Sequence, residues 1–198
     1  TANRRQRQMC IRDRGIDWVK VLHGEQKMVI HNPLPTSATI KAKSKVTGLV
    51  DKGADKGALI LTERTLKDAE SGLDLATLTS TTFARGNGGY DGPSDEAPRP
   101  HKVPEREPDF VVDLTTLDMA ALIYRLSGDY NPLHASPSVA RAAGFPKPIL
   151  HGLCSLGVAG HAILKGCCDY DAKRLKSLQL RFSSPVYPGE TVRTEIWR

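Results

Sequence analysis

The run L175-K-S-L-Q-L-R-F-S-S-P-V-Y-P-G-E-T-V-R-T-E-I-W197 alternates apolar and polar residues on either side of a Pro-x-x-Pro turn. It reads as strand, turn, strand. Residues 26–47, Q-K-M-V-I-H-N-P-L-P-T-S-A-T-I-K-A-K-S-K-V-T, have the same layout, with Pro33 and Pro35 in the turn. One such run carries little information, but two point to an internal structural repeat. The expected fold class is therefore α+β, with two similar halves, each an antiparallel sheet wrapping a buried helix.

Between the two runs, A58-L-I-L-T-E-R-T-L66 and L75-A-T-L-T-S-T-T-F83 read as further strands, and the D68-A-E-S-G72 turn joins them as a hairpin. Gly86–Pro108 contains five prolines and four glycines, which cannot support a regular element, so it is expected to be a surface linker. A boundary near residue 100 gives an N-terminal half over 15–100 and a C-terminal half over 101–198. Residues 1–14, with five arginines and no periodicity, resemble translated adaptor sequence and are taken as a non-native tail. In the C-terminal half, T115-T-L-D-M-A-A-L-I-Y-R-L126 has helical spacing and a Thr placed to cap it. S136-P-S-V-A-R-A-A-G144 reads as a short helix between Pro and Gly. H151-G-L-C-S-L-G-V-A-G-H-A-I-L-K165 is nearly all apolar, so that helix is expected to be buried.

Composition narrows the function classes. The 198 residues are 39% hydrophobic and 25% charged, which fits a soluble globular chain with a modest core. No stretch approaches the roughly 20 apolar residues of a membrane span. The net charge of +6 is front-loaded into the first fourteen residues, and the remaining lysines are scattered. That pattern suits a small polyanionic ligand better than a nucleic-acid duplex. Cys10, Cys154, Cys167 and Cys168 have neither metal-ligand spacing nor the density of a secreted scaffold, so no metal site and a reducing compartment are expected.

The chemistry-bearing segment is Y124-R-L-S-G-D-Y-N-P-L-H134, which sets Asp129 and His134 five residues apart around an Asn-Pro turn. A sharp turn there can bring a carboxylate and an imidazole toward one water, one removing a proton and the other supplying one. A loop of this composition taken alone is more often only a turn stabiliser. Downstream, His151-Gly152 opens the apolar helix. Backbone N–H groups at a helix start lack intrahelical acceptors and sit at the positive end of the dipole. Gly152 also admits close approach of a ligand, although simple helix-entry packing explains a glycine there equally well. An acid/base pair with such a donor suits chemistry beside a carbonyl, and the nucleophile that acyl transfer requires is missing.

S127-G-D-Y-N-P-L-H134, followed by G144-F-P-K-P-I-L-H-G-L-C154, resembles the hydratase 2 (MaoC-like) family of (3R)-specific enoyl-CoA hydratases. V21-L-H-G-E-Q26, the D51-K-G53 turn, F83-A-R-G-N-G-G-Y90 and S184-P-V-Y-P-G-E-T191 extend the likeness to the eukaryotic double-hot-dog branch. That branch includes the hydratase unit of the peroxisomal multifunctional enzyme type 2 and stand-alone peroxisomal hydratases. The resemblance implies a double hot-dog fold, truncated here at both ends, since the family's segments before Val21 and after Trp197 are absent.

The resemblance also implies roles. Asp129 and His134 form the catalytic dyad and Gly152 N–H holds the thioester oxygen. Tyr124 supports the loop from behind. Tyr130, Asn131, Pro132 and Leu133 shape the loop and contact substrate, while His23 and Gly24 contact the acyl-CoA from the first half. Lys52, suited to a CoA phosphate, and Phe182 complete the ligand contacts. On the residues alone, Lys52 is a solvated turn lysine and Phe182 a core residue.

The implied activity is reversible syn hydration of a trans-2-enoyl-CoA to a (3R)-3-hydroxyacyl-CoA in fatty-acid β-oxidation. It needs no cofactor, because CoA enters as part of the substrate. A (3R)-hydroxyacyl-ACP dehydratase and a non-catalytic acyl-thioester-binding module are the alternatives. The resemblance further implies a peroxisomal location, and it leaves room for a homodimer and for a dehydrogenase domain fused in a longer protein.

Overall fold

The structure is a computed structural model that describes residues 15–16, 20–94 and 101–198. The proposed tail over residues 1–14 lies outside the described residues, as does the 95–100 part of the linker. The chain divides into two compact units. The first comprises residues 1–100 with Lys176–Arg181, and the second His101–Leu175 with Phe182–Arg198.

The first unit is built on β1 (Val21–Ile30), β2 (Ile40–Asp51), β3 (Ala58–Asp68) and β4 (Asp74–Ala84). They join β6 (Ser177–Arg181) in one five-stranded sheet of order β2-β3-β4-β1-β6, antiparallel throughout. Pro33 and Pro35 end β1 because neither can donate to a ladder. At the β3–β4 hairpin the Asp68 carboxylate accepts from Ser71 N–H (2.7 Å), Ser71 Oγ (2.8 Å) and Glu70 N–H (3.1 Å), and Gly72 takes φ +74°. This is the hairpin that D-A-E-S-G predicts. Strand β2 forms an edge, and Lys41, Lys43 and Lys45 along it are exposed, which discourages pairing with another chain.

Two expectations for this unit change. The described residues of the first unit contain strands and loops, so the helix expected in that half is not among them. In addition, residues 101–198 do not stay together, because the outer edge of β1 takes β6 as its partner, Glu25 opposite Arg181 through Val29 opposite Ser177. The strand-turn-strand layout of the repeat is present, but its two strands serve different sheets.

The start of the linker is anchored to the β2–β3 turn. Asp51, only 7% exposed, accepts at Oδ1 from Gly89 N–H (2.8 Å) and Gly53 N–H (2.9 Å), and its own N–H donates to Pro93 O (2.7 Å). These donors hold its carboxyl below the ordinary carboxylate range. The far end is tied within the second unit, where Arg106 grips the Asp109 carboxylate at 2.8 and 2.9 Å. That pairing pulls the Asp109 carboxyl down to about 2.

The second unit contains β5 (Phe110–Thr115) paired antiparallel with β7 (Thr191–Ile196), cross-linked by Arg193 on Asp113 at 2.9 and 3.0 Å. Helix α1 (Ala120–Arg125), helix α2 (Pro137–Ala142) and helix α3 (Gly152–Cys167) follow β5. Helix α1 is shorter than its spacing predicts. Thr115 is consumed by β5, and the Thr116 hydroxyl donates to Glu190 O (2.9 Å) and accepts from Gly189 N–H (3.1 Å), so no Thr caps the helix. Its apolar residues Leu122, Ile123 and Leu126 are 53%, 47% and 79% exposed, and Ala121 is its buried position.

Helix α3 packs on β5 and β7 closely enough that a Cβ at Gly166 would lie 3.1 Å from Val112 Cγ2 and 3.6 Å from Ile196 Cδ1. Only Gly160 and Ala162 of that helix are fully buried, because two strands cannot cover an apolar helix on all sides. No helix of the described residues is long and apolar enough to cross a membrane.

Candidate active site

Three residues after the end of α1 the chain reverses through Gly128, whose φ of +98° suits glycine. Asp129 follows, half-buried, and its Oδ1 accepts from Asn131 N–H at 3.3 Å. The Asn131 side chain in turn accepts from Leu133 N–H (3.0 Å), capping a 3-10 turn over Pro132–His134. Pro132 supplies the fixed φ of the first position, and Leu133, 5% exposed, anchors the turn in the core. The motif therefore encodes its own rigidity: the Asp129 and Asn131 side chains each accept from a backbone N–H of the loop. Tyr130 points outward, 57% exposed, with the Arg125 guanidinium 5.3 Å above its ring. Arg125 also donates to Asn131 O (3.3 Å).

His134 Nδ1 lies 2.8 Å from Ile149 O. A carbonyl only accepts, so Nδ1 carries the hydrogen and Nε2 presents a lone pair when the ring is neutral. Burial pushes the His134 pKa below its ordinary value, while the Ile149 bond and the Asp129 carboxylate pull it partly back. The ring is therefore neutral at physiological pH, and Nε2 is the atom able to exchange a proton.

Gly152 is the first residue of α3 and His151 its N-cap. A Cβ at position 152 would meet the Phe182 ring at 3.1–3.3 Å, so Phe182 closes directly over the helix start. That places the half-buried Phe182 ring beside the first residue of the helix. Leu150 N–H donates to Val186 O (2.7 Å), fixing the approach to the helix against the turn that follows Phe182.

His151 is the residue that spacing did not single out. It is 2% exposed and stacks on His134, with ring centroids 3.8 Å apart and planes at 28°. The Tyr124 ring lies 4.7 Å from it, tilted by 44°. His151 Nε2 donates to Asp129 O (3.2 Å), and its buried Nδ1 has no hydrogen-bond partner among the described residues. Burial, and then the neighbouring His134, lower its pKa to about 4. The His-Gly pair was legible only for its glycine.

The structure thus gathers Tyr124, Asp129, Asn131, Pro132, Leu133, His134, Gly152 and Phe182 in the second unit. His23, Gly24 and Lys52 belong to the first. His23 Nε2 lies 2.9 Å from Ser80 Oγ and 3.1 Å from Glu25 O, at a register shift in β1 between His23 and Glu25. Gly24 fills that irregularity, where a Cβ would stand 3.2 Å from Thr81 O. Lys52 is exposed in the β2–β3 turn and its N–H donates to Gly57 O (2.9 Å). Cys154, Cys167 and Cys168 are free thiols, Cys168 is buried, and burial raises the Cys154 thiol. Cys10 lies outside the described residues.

Residues 2–86 match the MFE-2 hydratase 2 N-terminal domain and residues 100–198 the MaoC-like domain. A 3-hydroxyacyl-thioester dehydratase Y of Mycobacterium tuberculosis is 44% identical over 90% of this chain and 62% of its own length. A peroxisomal enoyl-CoA hydratase 2 of Arabidopsis thaliana is 42% identical over 89% of this chain and 60% of its own. The crystal structure of a MaoC-like dehydratase from Phytophthora capsici, 45% identical, superposes with a TM-score of 0.83 over 92% of this chain and 63% of that one. For the fold alone, a Mycobacterium tuberculosis structure described as a double hot-dog gives a TM-score of 0.57 at 14% identity, over 89% of this chain and 62% of that one. The chain thus spans about three-fifths of the length of each of these proteins. With both halves matched in order, the chain belongs to the MaoC-like hydratase 2 family and has its α+β hot-dog fold.

Proposed function

We propose that the protein containing this chain catalyses reversible syn hydration of a trans-2-enoyl-CoA to a (3R)-3-hydroxyacyl-CoA, as part of fatty-acid β-oxidation. One observation carries the reading: a rigid loop presents Asp129 and a neutral His134 in the same unit as the glycine N-terminus of α3. The thioester carbonyl accepts from Gly152 N–H, which draws electron density from the β-carbon. A water held by the dyad attacks that carbon. One member takes the water's proton and the other delivers a proton to the α-carbon, so the protons balance. Both act from one side, which gives syn addition.

The carrier is read as CoA. The mildly basic chain and the turn lysine Lys52 suit its phosphates, and the Arabidopsis relative is named an enoyl-CoA hydratase. The first half takes the acyl tail, by analogy with the family. A peroxisomal location is supported by the name of the same relative. A dehydrogenase domain in the longer protein is supported by a Neurospora crassa relative named peroxisomal hydratase-dehydrogenase-epimerase, 42% identical over 90% of this chain and 20% of its own length. No cofactor enters the proposed step, and association into a homodimer is compatible with it.

The test is loss of the enoyl-thioester ultraviolet absorbance when the full-length protein meets crotonyl-CoA or decenoyl-CoA. Turnover that collapses with Asp129→Asn or His134→Ala supports the reading. Binding without turnover by the wild type would favour an acyl-thioester-binding module. Turnover of the ACP thioester with none of the CoA thioester would favour the dehydratase.

A further inference from the structure

The dyad assignment leaves one buried titratable ring without a part to play. His151 is 2% exposed, touches both dyad members and lies beside neither a metal cluster nor an ion pair among the described residues. Its ring covers the face of His134 at 3.8 Å, and its edge reaches the main chain of Asp129. We propose that His151 is a positioning residue for the dyad, setting the plane of the His134 imidazole by stacking and the place of Asp129 by the bond to its carbonyl. This role rests on the hydration reading above.

Two features separate this role from ordinary core packing. The first is that the ring does two jobs that no apolar side chain combines. A phenylalanine would stack but could not donate to Asp129 O, and an asparagine could donate but would not cover His134. The second is protonation. His151 Nε2 already donates, so the neutral ring leaves only a lone pair at the buried Nδ1, which costs less than burying a charge there. A charged ring would bury an unpartnered N–H and face any positive charge on His134. His151 therefore stays neutral while His134 exchanges protons, and serves as a platform and not as a relay. The charged and titratable groups around the pair are the Asp129 carboxylate on the loop, and Arg125 and Tyr124 on α1.

The test compares His151→Phe, His151→Asn and His151→Ala in the full-length protein. Activity is expressed per folded molecule, and His134 is followed by its ring-carbon NMR resonance as pH varies. His151→Ala is expected to lower kcat by about tenfold or more, on the scale of a displaced proton-transfer group, with KM within about twofold. Phe and Asn are each expected to recover part of that loss. With its cover removed, His134 should titrate nearer its ordinary value in the Ala variant and nearly as in wild type in the Phe variant. A kcat within about twofold of wild type in the Ala variant, or an unmoved His134 titration, would overturn the proposal. Phe and Asn retain bulk at the site should Ala fail to fold. If the wild-type protein does not hydrate an enoyl-CoA, the function reading falls, and the His134 titration alone then decides the positioning role.

Discussion

At the scale of single residues, the site is a loop whose Asp129 and Asn131 side chains each hold one of its own backbone N–H groups, with His134 fixed through Nδ1 to Ile149 O. Asp129→Asn and His134→Ala are expected to cut hydration by about 10²-fold or more, typical of a lost proton-transfer group, with unchanged thermal unfolding. Gly152→Ala keeps the N–H donor but presses a methyl onto the Phe182 ring, which must give by a few tenths of an ångström. A rise in KM exceeding the fall in kcat is expected there, read by steady-state kinetics. Asp129, His134 and Gly152 stand out in the sequence as candidates because loop spacing and helix entry are local properties, and the family resemblance supplies their implied roles. His151 does not, because its stack on His134 spans 17 residues and arises only when Ile149 O fixes the partner ring.

At the scale of elements, the sheet was legible wherever alternation ended in turn chemistry. Asp68 and Gly72 close the β3–β4 hairpin as the sequence suggests. Strand β5 and the true start of α1 were not legible. A six-residue strand after a proline-rich run has weak periodicity, and Thr116 finds its partners at Gly189 and Glu190, more than 70 residues away. The β2–β3 turn provides an internal comparison. Gly53 and Gly57 both have positive φ, +94° and +80°, so alanine strains either. A Cβ at Gly53 meets nothing within 4 Å, whereas at Gly57 it would press on Ala84 O and Arg85 Cα. Gly57→Ala should therefore lower the melting temperature clearly more than Gly53→Ala, and equal losses would remove the clash as the cause.

For the whole molecule, buried histidines link stability to acidity. The folded-state pKa of His151, about 4, lies below its ordinary value of 6.5. Protonation therefore favours the unfolded chain, and the contribution is complete above about pH 6.5 and lost as pH falls toward 4. At about 1.4 kcal/mol per pKa unit, the shift corresponds to a loss of about 3 kcal/mol over that window. His134 adds a loss of the same sign. Denaturant titrations at pH 7.5 and pH 4.5 should show the difference, and His151→Phe should reduce it.

The pairing of β1 with β6 also fixes an order of events during synthesis. Glu25 meets Arg181, 156 residues later in the chain. Glu25–Val29 pair with β4 on one side, but their groups on the other side stay unpaired until Ser177–Arg181 has been made. Contacts of such long sequence separation slow folding and leave an open strand edge in the meantime. A nascent chain halted at residue 100 should consequently be prone to self-association, while one extended past Arg181 can seal that edge with its own segment.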